Sequence, residues 1–138
     1  MSYYFSKFLG LPFDDAVLKV IEELKKEGFG IITEIDVKET LKKKLNVDYD
    51  NYVILGVCNP PFAYKALQAE KEIGLLLPCN VIVYSQDNEV IVSAVDIMEA
   101  MSMVKNEKID DISFSNRSAH HSIACDGGLR CGYRYSCE

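Results

Sequence analysis

The first 113 residues of this 138-residue chain contain no histidine, because both histidines lie in the final 25 residues. A catalytic histidine would therefore have to come from that final segment. The chain also lacks a glycine-rich phosphate loop, a nucleophile elbow and an HExxH zinc motif. These absences remove the usual sequence signals of nucleotide-binding enzymes, α/β-hydrolases and zinc proteases.

Long apolar runs are missing as well, since none approaches the roughly 20 residues that a membrane-spanning helix needs. The start of the chain lacks a basic segment followed by a long apolar region, which a secretory signal would show. A net charge of −6 gives no general attraction for nucleic acid or an anionic membrane. We therefore expect a cytoplasmic protein with no nucleic-acid or membrane partner.

The five cysteines are odd in number, and no pair of them forms a CxxC motif. In a reducing cytosol such cysteines are free thiols more often than members of a disulfide framework. We therefore expect reduced cysteines.

The most regular part of the chain runs from Asn51 to Asp96. The apolar run 52–58 predicts a strand buried on both faces, and Pro60-Pro61 suit the first turn of a helix over 62–73 that ends at Gly74. Two further apolar segments, 81–84 and 90–95, predict two strands joined by a turn at 86–89.

Flanking segments extend this unit in both directions. Apolar periodicity predicts strands at 3–9 and 29–35, and helices at 15–27, 36–45 and 97–104, with another helix opening over 105–112. The predicted order is β-α-β-α-β-α-β-β-α.

The character of the chain changes at Phe114. From there to Glu138 the sequence has no apolar periodicity and no lysine. The pattern indicates one domain over 1–113 and an atypical tail over 114–138. This tail is either a separate functional segment or a stretch that is not native to the domain, and we favour the second interpretation.

Two cysteines in the domain are candidate site residues. Cys58 ends a predicted strand just before a helix N-terminus, a position that stabilises a thiolate, and Cys79 follows Pro78 at the start of the next strand. If both lie at one edge of the sheet, they could act as a redox pair, a persulfide carrier or two ligands of a soft metal. Alternatively, both thiols simply pack in the core.

The tail contains a second set of potential metal ligands. Two nitrogen and three sulfur donors could supply a closed zinc site, although their spacing matches no usual short motif: His120, His121, Cys125, Cys131 and Cys137. Acid–base chemistry would fall to carboxylates such as Asp36, Asp87 or Asp96, which stand where turn and cap residues belong.

Several motifs resemble the family known as domain of unknown function 302, whose fold is called TT1751-like. The resemblance covers about residues 1–112 and is carried by the segments 56–60 (GVCNP), 74–80 (GLLLPCN) and 92–96 (VSAVD). It implies an α+β two-layer sandwich with a predominantly antiparallel sheet, helices on one face, and a homodimer.

Together these observations predict a small module that carries a thiol or persulfide, or binds a soft metal, through Cys58 and Cys79. In this interpretation Asn59 orients the loop, Pro60 fixes the helix start and Pro78 presents Cys79. The alternative is a homodimeric small-ligand-binding or structural module whose cysteines only pack. The cofactor and the ligand stay open.

Overall fold

A computed structural model of the chain describes residues 3–113. The strands are β1 (Tyr4–Leu9), β2 (Gly30–Asp36), β3 (Tyr52–Cys58), β4 (Cys79–Gln86) and β5 (Glu89–Val95). The helices are α1 (Phe13–Lys26), α2 (Val37–Leu45), α3 (Pro60–Ala69), a 3₁₀ helix (Lys71–Leu76), α4 (Ile97–Ala100) and α5 (residues 107–113). None of the helices in this range has the length and apolar character needed to cross a membrane.

The five strands form one sheet in the order β1-β5-β4-β3-β2, and all neighbouring pairs are antiparallel. β4 and β5 form a hairpin whose turn contains Asp87 and Asn88, both with positive φ. Short polar residues tolerate this left-handed conformation, which suits the twist of a two-residue hairpin turn. The predicted α+β architecture with an antiparallel sheet and helices is confirmed.

One face of the sheet forms the core together with the helices. Alternate residues of the central strands point to this face because side chains in a strand alternate with a period of two. The strand residues on this face that are 5% exposed or less are Lys7, Leu9, Val53, Leu55, Val57, Val81, Val83, Val92 and Ala94. From α1, the buried side chains Ala16, Val17, Val20 and Leu24 complete this layer at helical spacing. Full burial of each larger side chain contributes about 1.5–3 kcal/mol of transfer free energy.

The opposite face of the sheet is less covered than the apolar run at 52–58 predicts. Val53, Leu55 and Val57 are buried, but Tyr52 and Ile54 between them are only half-buried. The expectation of a strand buried on both faces is therefore wrong for β3. The apolar residues of β3 alternate between the two faces of the sheet, and the described helices cover only one of these faces.

The helix predicted over 62–73 is divided in the structure. α3 ends at Ala69 because Glu70 takes an extended conformation (φ −148°), and the 3₁₀ helix follows. Gly74 lies within that 3₁₀ helix and does not terminate α3. α4 is also shorter than predicted, with four residues.

Two of the three candidate carboxylates cap helices. An oxygen of Asp36 accepts a hydrogen bond from the amide of Glu39 (2.9 Å), and one of Asp96 accepts from the amide of Met98 (3.1 Å). Asp87 is the turn residue described above. All three carboxylates therefore occur at cap or turn positions, as the sequence predicts.

Asn106 fixes the start of α5. Its side-chain oxygen accepts a hydrogen bond from the amide of Lys108 (3.0 Å), which caps the helix. Its side-chain nitrogen donates to the carbonyl of Ala69 at the end of α3 (3.0 Å). One side chain therefore couples α5 to α3, and these two helices form walls of the cavity described next.

Candidate functional site

A cavity of about 310 Å³ lies on the helix-covered side of the sheet, where β3 ends and β4 begins. Its walls come from α3, α4, α5 and the 3₁₀ helix, and the cysteines of β3 and β4 line it as well. This volume is at the lower end of the range of small-molecule pockets, about 300–1,000 Å³. We call it the cysteine cavity.

The pairing of β3 with β4 brings the two cysteines to this cavity. Val57 and Cys79 are direct cross-strand partners, so Cys58 stands one residue further along the same edge. Both cysteines line the cavity, and both are free thiols. Cys79 is 8% exposed, whereas Cys58 is half-buried. Both cysteines therefore belong to one site, but Cys79 is more buried than Cys58.

Burial has a clear effect on Cys79. Desolvation raises the pKa of its thiol to about 11, with a smaller contribution from the nearby Cys58. Since the thiolate is the form that attacks electrophiles and binds metals, Cys79 is protonated and unreactive at neutral pH. The raised pKa therefore disfavours a nucleophilic role for Cys79 in this folded state.

The N-terminus of α3 provides fewer backbone donors for a Cys58 thiolate than the position of Cys58 in the sequence indicates. Residues Pro60 and Pro61 occupy the first positions of α3 and have no backbone N–H group. They remove two of the four free donors that a helix N-terminus normally presents to an anion. Asn59 occupies the N-cap position, but its side chain makes no capping hydrogen bond.

The remaining predicted site residues divide between the cavity and its surroundings. Asn59 and Pro78 line the cavity, and Pro60 does not. The side-chain nitrogen of Asn59 reaches the turn after α1, where a Cβ on Gly28 would lie 3.4 Å from it. Pro78 follows a cis peptide bond, and its ring packs over Gly56, where an added Cβ would lie 2.9 Å from its Cγ.

Metal ligands do not converge anywhere in residues 3–113, where no group of three or more histidine, cysteine, aspartate or glutamate side chains is positioned for an ion. The zinc candidates of the tail, His120 to Cys137, lie outside the described residues. Cys58 and Cys79 alone would supply two sulfur ligands, fewer than the four of a closed zinc site.

The apolar walls of the cavity were not identified as site residues from the sequence. The α3 side chains are Phe62, Ala63, Ala66 and Leu67, and α5 adds Ile109, Ile112 and Ser113. Their helical spacing, three to four residues apart, is a signal of an apolar face. Which helix face closes over which strand end depends on the tertiary structure, and no local pattern indicates it.

Comparisons with known proteins agree with this fold. A family model described as "Domain of unknown function DUF302" matches residues 5–122, so the match extends beyond residue 113. A solved structure, the crystal structure of uncharacterized conserved protein DUF302 from Bacillus stearothermophilus, matches with a TM-score of 0.83 and 23% sequence identity. That match covers 90% of this chain and 97% of the other, and at this identity it shows the fold alone.

No curated protein matches the chain. The family model nevertheless covers far more than half of the 138 residues, and it includes the strands, the helices and both cysteines of the cavity. The chain therefore belongs to the DUF302 family.

Proposed function

We propose that this DUF302 protein binds a small apolar molecule in the cysteine cavity, with Cys58 beside the bound molecule. The observation that carries the proposal is the cavity itself, about 310 Å³ in volume and lined almost entirely by apolar side chains. Concave, mostly apolar pockets with a few polar groups are the usual form of small-ligand sites.

The polar groups at the cavity favour binding over acid–base catalysis. Among the described residues that line it, none is charged and none is a histidine. Asn59, Ser113 and the two thiols are the polar side chains of the lining. A general acid or base needs a group that exchanges protons near neutral pH, and this lining supplies none.

A second function, thiol chemistry at Cys58 alone, is favoured by the partial exposure of that residue at the cavity. Cys58 could accept the outer sulfur of a donor persulfide RS–SH as its thiolate attacks and RS⁻ leaves. Cys79 would not share this role, because its pKa of about 11 keeps it protonated. This second function therefore uses one cysteine of the predicted pair.

Labelling with N-alkylmaleimides of increasing chain length tests the binding function. The rate for each cysteine of the full chain is followed by peptide mass mapping, relative to the same reagents reacting with glutathione. Each CH₂ group that enters an apolar cavity gains about 0.8 kcal/mol, or about fourfold in binding. We expect Cys58 to react at least ~10-fold faster with the hexyl than with the methyl reagent after this correction.

Two variants of α3 provide a matched pair. Ala63 lines the cavity, so Ala63→Leu fills part of it and is expected to reduce the chain-length effect. Gln68 is exposed on the same helix outside the cavity, so Gln68→Leu should leave the effect unchanged.

The pattern of rates separates the two functions. Fast labelling of Cys58 that is independent of chain length would contradict apolar binding and support thiol chemistry. Slow labelling of Cys58 without any chain-length effect would contradict both functions and leave the cysteines as packing residues.

A further inference from the structure

A second concavity, about 430 Å³ in volume, lies on the face of the sheet opposite the helices. Four tyrosine rings contribute to its walls: Tyr3, Tyr4, Tyr52 and Tyr84. Its floor comes from β4 and β5 and includes Ile82 and Ser93. No described residue lines both this concavity and the cysteine cavity. We call it the tyrosine groove.

The pairing register places the tyrosines at two ends of the groove. Tyr4 of β1 pairs with Val95 of β5, whereas Tyr84 of β4 pairs with Ile91 of β5. Positions 91 and 95 are separated by about 13 Å along a strand, and Ser93 lies midway between them. The rings of Tyr4 and Tyr84 therefore start on opposite sides of Ser93, and both line the space above it.

Each end of the groove contains a pair of tyrosine rings in contact. The rings of Tyr52 and Tyr84 stack with their centroids 5.5 Å apart and their planes inclined by 18°. The rings of Tyr3 and Tyr4 form an edge-to-face pair at 5.0 Å. Both arrangements are favourable for aromatic rings, so each pair supports its own orientation. A ligand in the groove therefore meets aromatic rings at both ends.

The two ends of the groove are close enough for their hydroxyl groups to interact electrostatically. Burial raises the pKa of Tyr84, and Tyr4 from the other end adds to this rise. Burial likewise raises the pKa of Tyr52, with smaller contributions from other tyrosines that include Tyr3. Tyr52 and Tyr84 are therefore uncharged at neutral pH, and what they present to a ligand is the aromatic ring.

The charge around the groove favours a positively charged ligand. Among the residues of the five strands, alternation places one ionised side chain on this face, the exposed carboxylate of Glu89. Glu89 lies two residues before Ile91, near the end of the groove that contains Tyr84. Lys7 of β1 lies on the helix-covered side, where it is 2% exposed. With a net charge of −6 for the whole chain, a cation is attracted to this surface and an anion is repelled.

We propose that the tyrosine groove binds a small organic cation of the alkylated ammonium class, with its charged group between the two pairs of rings. A cation within about 6 Å of an aromatic ring centroid is attracted by the ring quadrupole, and groups of aromatic rings are a known form of site for quaternary ammonium groups. The rings supply this attraction from both ends of the groove, and Glu89 supplies the complementary charge. A neutral ligand of the same shape gains from neither.

Titration of the full chain with choline tests this assignment. The matched control is 3,3-dimethylbutan-1-ol, a neutral alcohol of the same shape in which carbon replaces the ammonium nitrogen. Binding is followed through the δ1-methyl resonance of Ile82 on the floor of the groove. We expect choline to bind at least ~10-fold more tightly than the alcohol, because the choline charge interacts with several rings. The methyl resonances of Ile73 and Ile109 in the cysteine cavity should not respond to choline.

Variants of Tyr84 provide a matched pair for the role of the ring, with folding checked by circular dichroism. Tyr84→Phe keeps the ring, so the affinity for choline should stay within ~2-fold, whereas Tyr84→Leu should lower it at least ~5-fold. Tyr3 lines the groove and is 68% exposed, so Tyr3→Leu repeats the test with little risk to the fold and should also weaken binding. Tyr64, 65% exposed on α3 and outside the groove, gives the control Tyr64→Leu, which should have no effect.

Three results would overturn the proposal. The first is equal affinity for choline and the neutral alcohol, which would show apolar binding alone. The second is choline binding that is unchanged in Tyr84→Leu and Tyr3→Leu. The third is an Ile82 resonance that responds to neither probe, which would assign the groove to a second copy of the chain or to residues 114–138. None of these results bears on the cysteine cavity, so the two proposals fail separately.

Discussion

The two faces of the sheet consist of alternate residues of the same strands, yet they differ in what covers them. Leu55 is fully buried beneath the helices, while its neighbour Ile54 is half-buried on the opposite face of the sheet, which is called the open face below. Both residues are aliphatic, so hydrophobicity alone does not distinguish a core position from a surface one. The covered face gains its stability from the helices, whereas the described helices leave the open face in contact with solvent.

Truncation of neighbouring residues on β3 gives the largest expected contrast. Leu55→Ala removes a fully buried side chain and should lower the free energy of unfolding by about 3 kcal/mol. Ile54→Ala should cost about 1 kcal/mol or less, because solvent reaches that side chain already. Urea unfolding of both variants, compared with the parent chain, measures the two losses. Equal losses would show that the two faces are covered equally.

Alkaline pH should destabilise the covered face through Cys79. Its pKa is about 11 in the folded protein and about 8.5–9 in an unfolded chain. A raised pKa gives stability that is complete below about pH 8.5 and is lost as the pH rises toward 11. Between pH 8 and 11 the free energy of unfolding should fall by about 2 kcal/mol more in the parent chain than in Cys79→Ala.

The Cys79→Ala comparison also corrects for tyrosine ionisation in the same pH range. Burial raises the pKa values of Tyr52 and Tyr84, so both chains lose some further stability at high pH. Unfolding curves of the two proteins that stay parallel up to pH 11 would contradict the assigned environment of Cys79.

Gly56 lies on the open face but is buried there, because Thr33 and Pro78 pack against it. A Cβ there would collide with the hydroxyl of Thr33 and lie 2.9 Å from Cγ of Pro78. Gly56→Ala should therefore cost about 2 kcal/mol by overpacking. Gly74→Ala is the control, because nothing lies within 4 Å of its added Cβ. Thermal unfolding compares the two variants, and similar midpoints would contradict the packing of Pro78 over Gly56.

The outer surface of α1 should contribute least to the free energy of unfolding. Lys19 contacts Glu23 at 3.2 Å, and the pKa of that carboxyl is lowered by hydrogen bonds from Lys26 and then Lys19. Exposed pairs of this kind are worth about 0.2–1 kcal/mol. Lys19→Gln should change the free energy of unfolding by less than about 0.5 kcal/mol and leave the oligomeric state unchanged. A loss above about 1 kcal/mol would indicate that this surface is covered in solution.

The strands and most helices were predictable because their apolar residues recur with the period of a strand or of a helix. The buried positions Val17, Val20 and Leu24 of α1 follow directly from helical spacing. The end of α3 was not predictable in this way. The apolar positions Ala66, Ala69 and Ile73 keep helical spacing, but the backbone leaves the helix at Glu70.

For the candidate site, the sequence located Cys58 and Cys79 at strand ends but did not reveal their different burial. That difference arises from the closure of α3 and α5 over the start of β4, and the junction of those helices depends on Asn106 and Ala69. The weakened helix N-terminus could have been foreseen, because Pro60 and Pro61 visibly lack the amides that would stabilise a thiolate.

The central claim is that an apolar molecule binds on the covered face of the sheet, in the cysteine cavity, and does not bind on the open face. Isoleucine δ1-methyl NMR tests it directly, since isoleucines mark both faces. The cavity contains Ile73, Ile97, Ile109 and Ile112, and the open face contains Ile35, Ile54, Ile82 and Ile91.

Addition of 1-hexanol should shift the methyl resonances of the cavity set and leave those of the open-face set unchanged. A spectrum in which hexanol shifts the open-face methyl groups instead, or shifts no methyl group, would contradict the account.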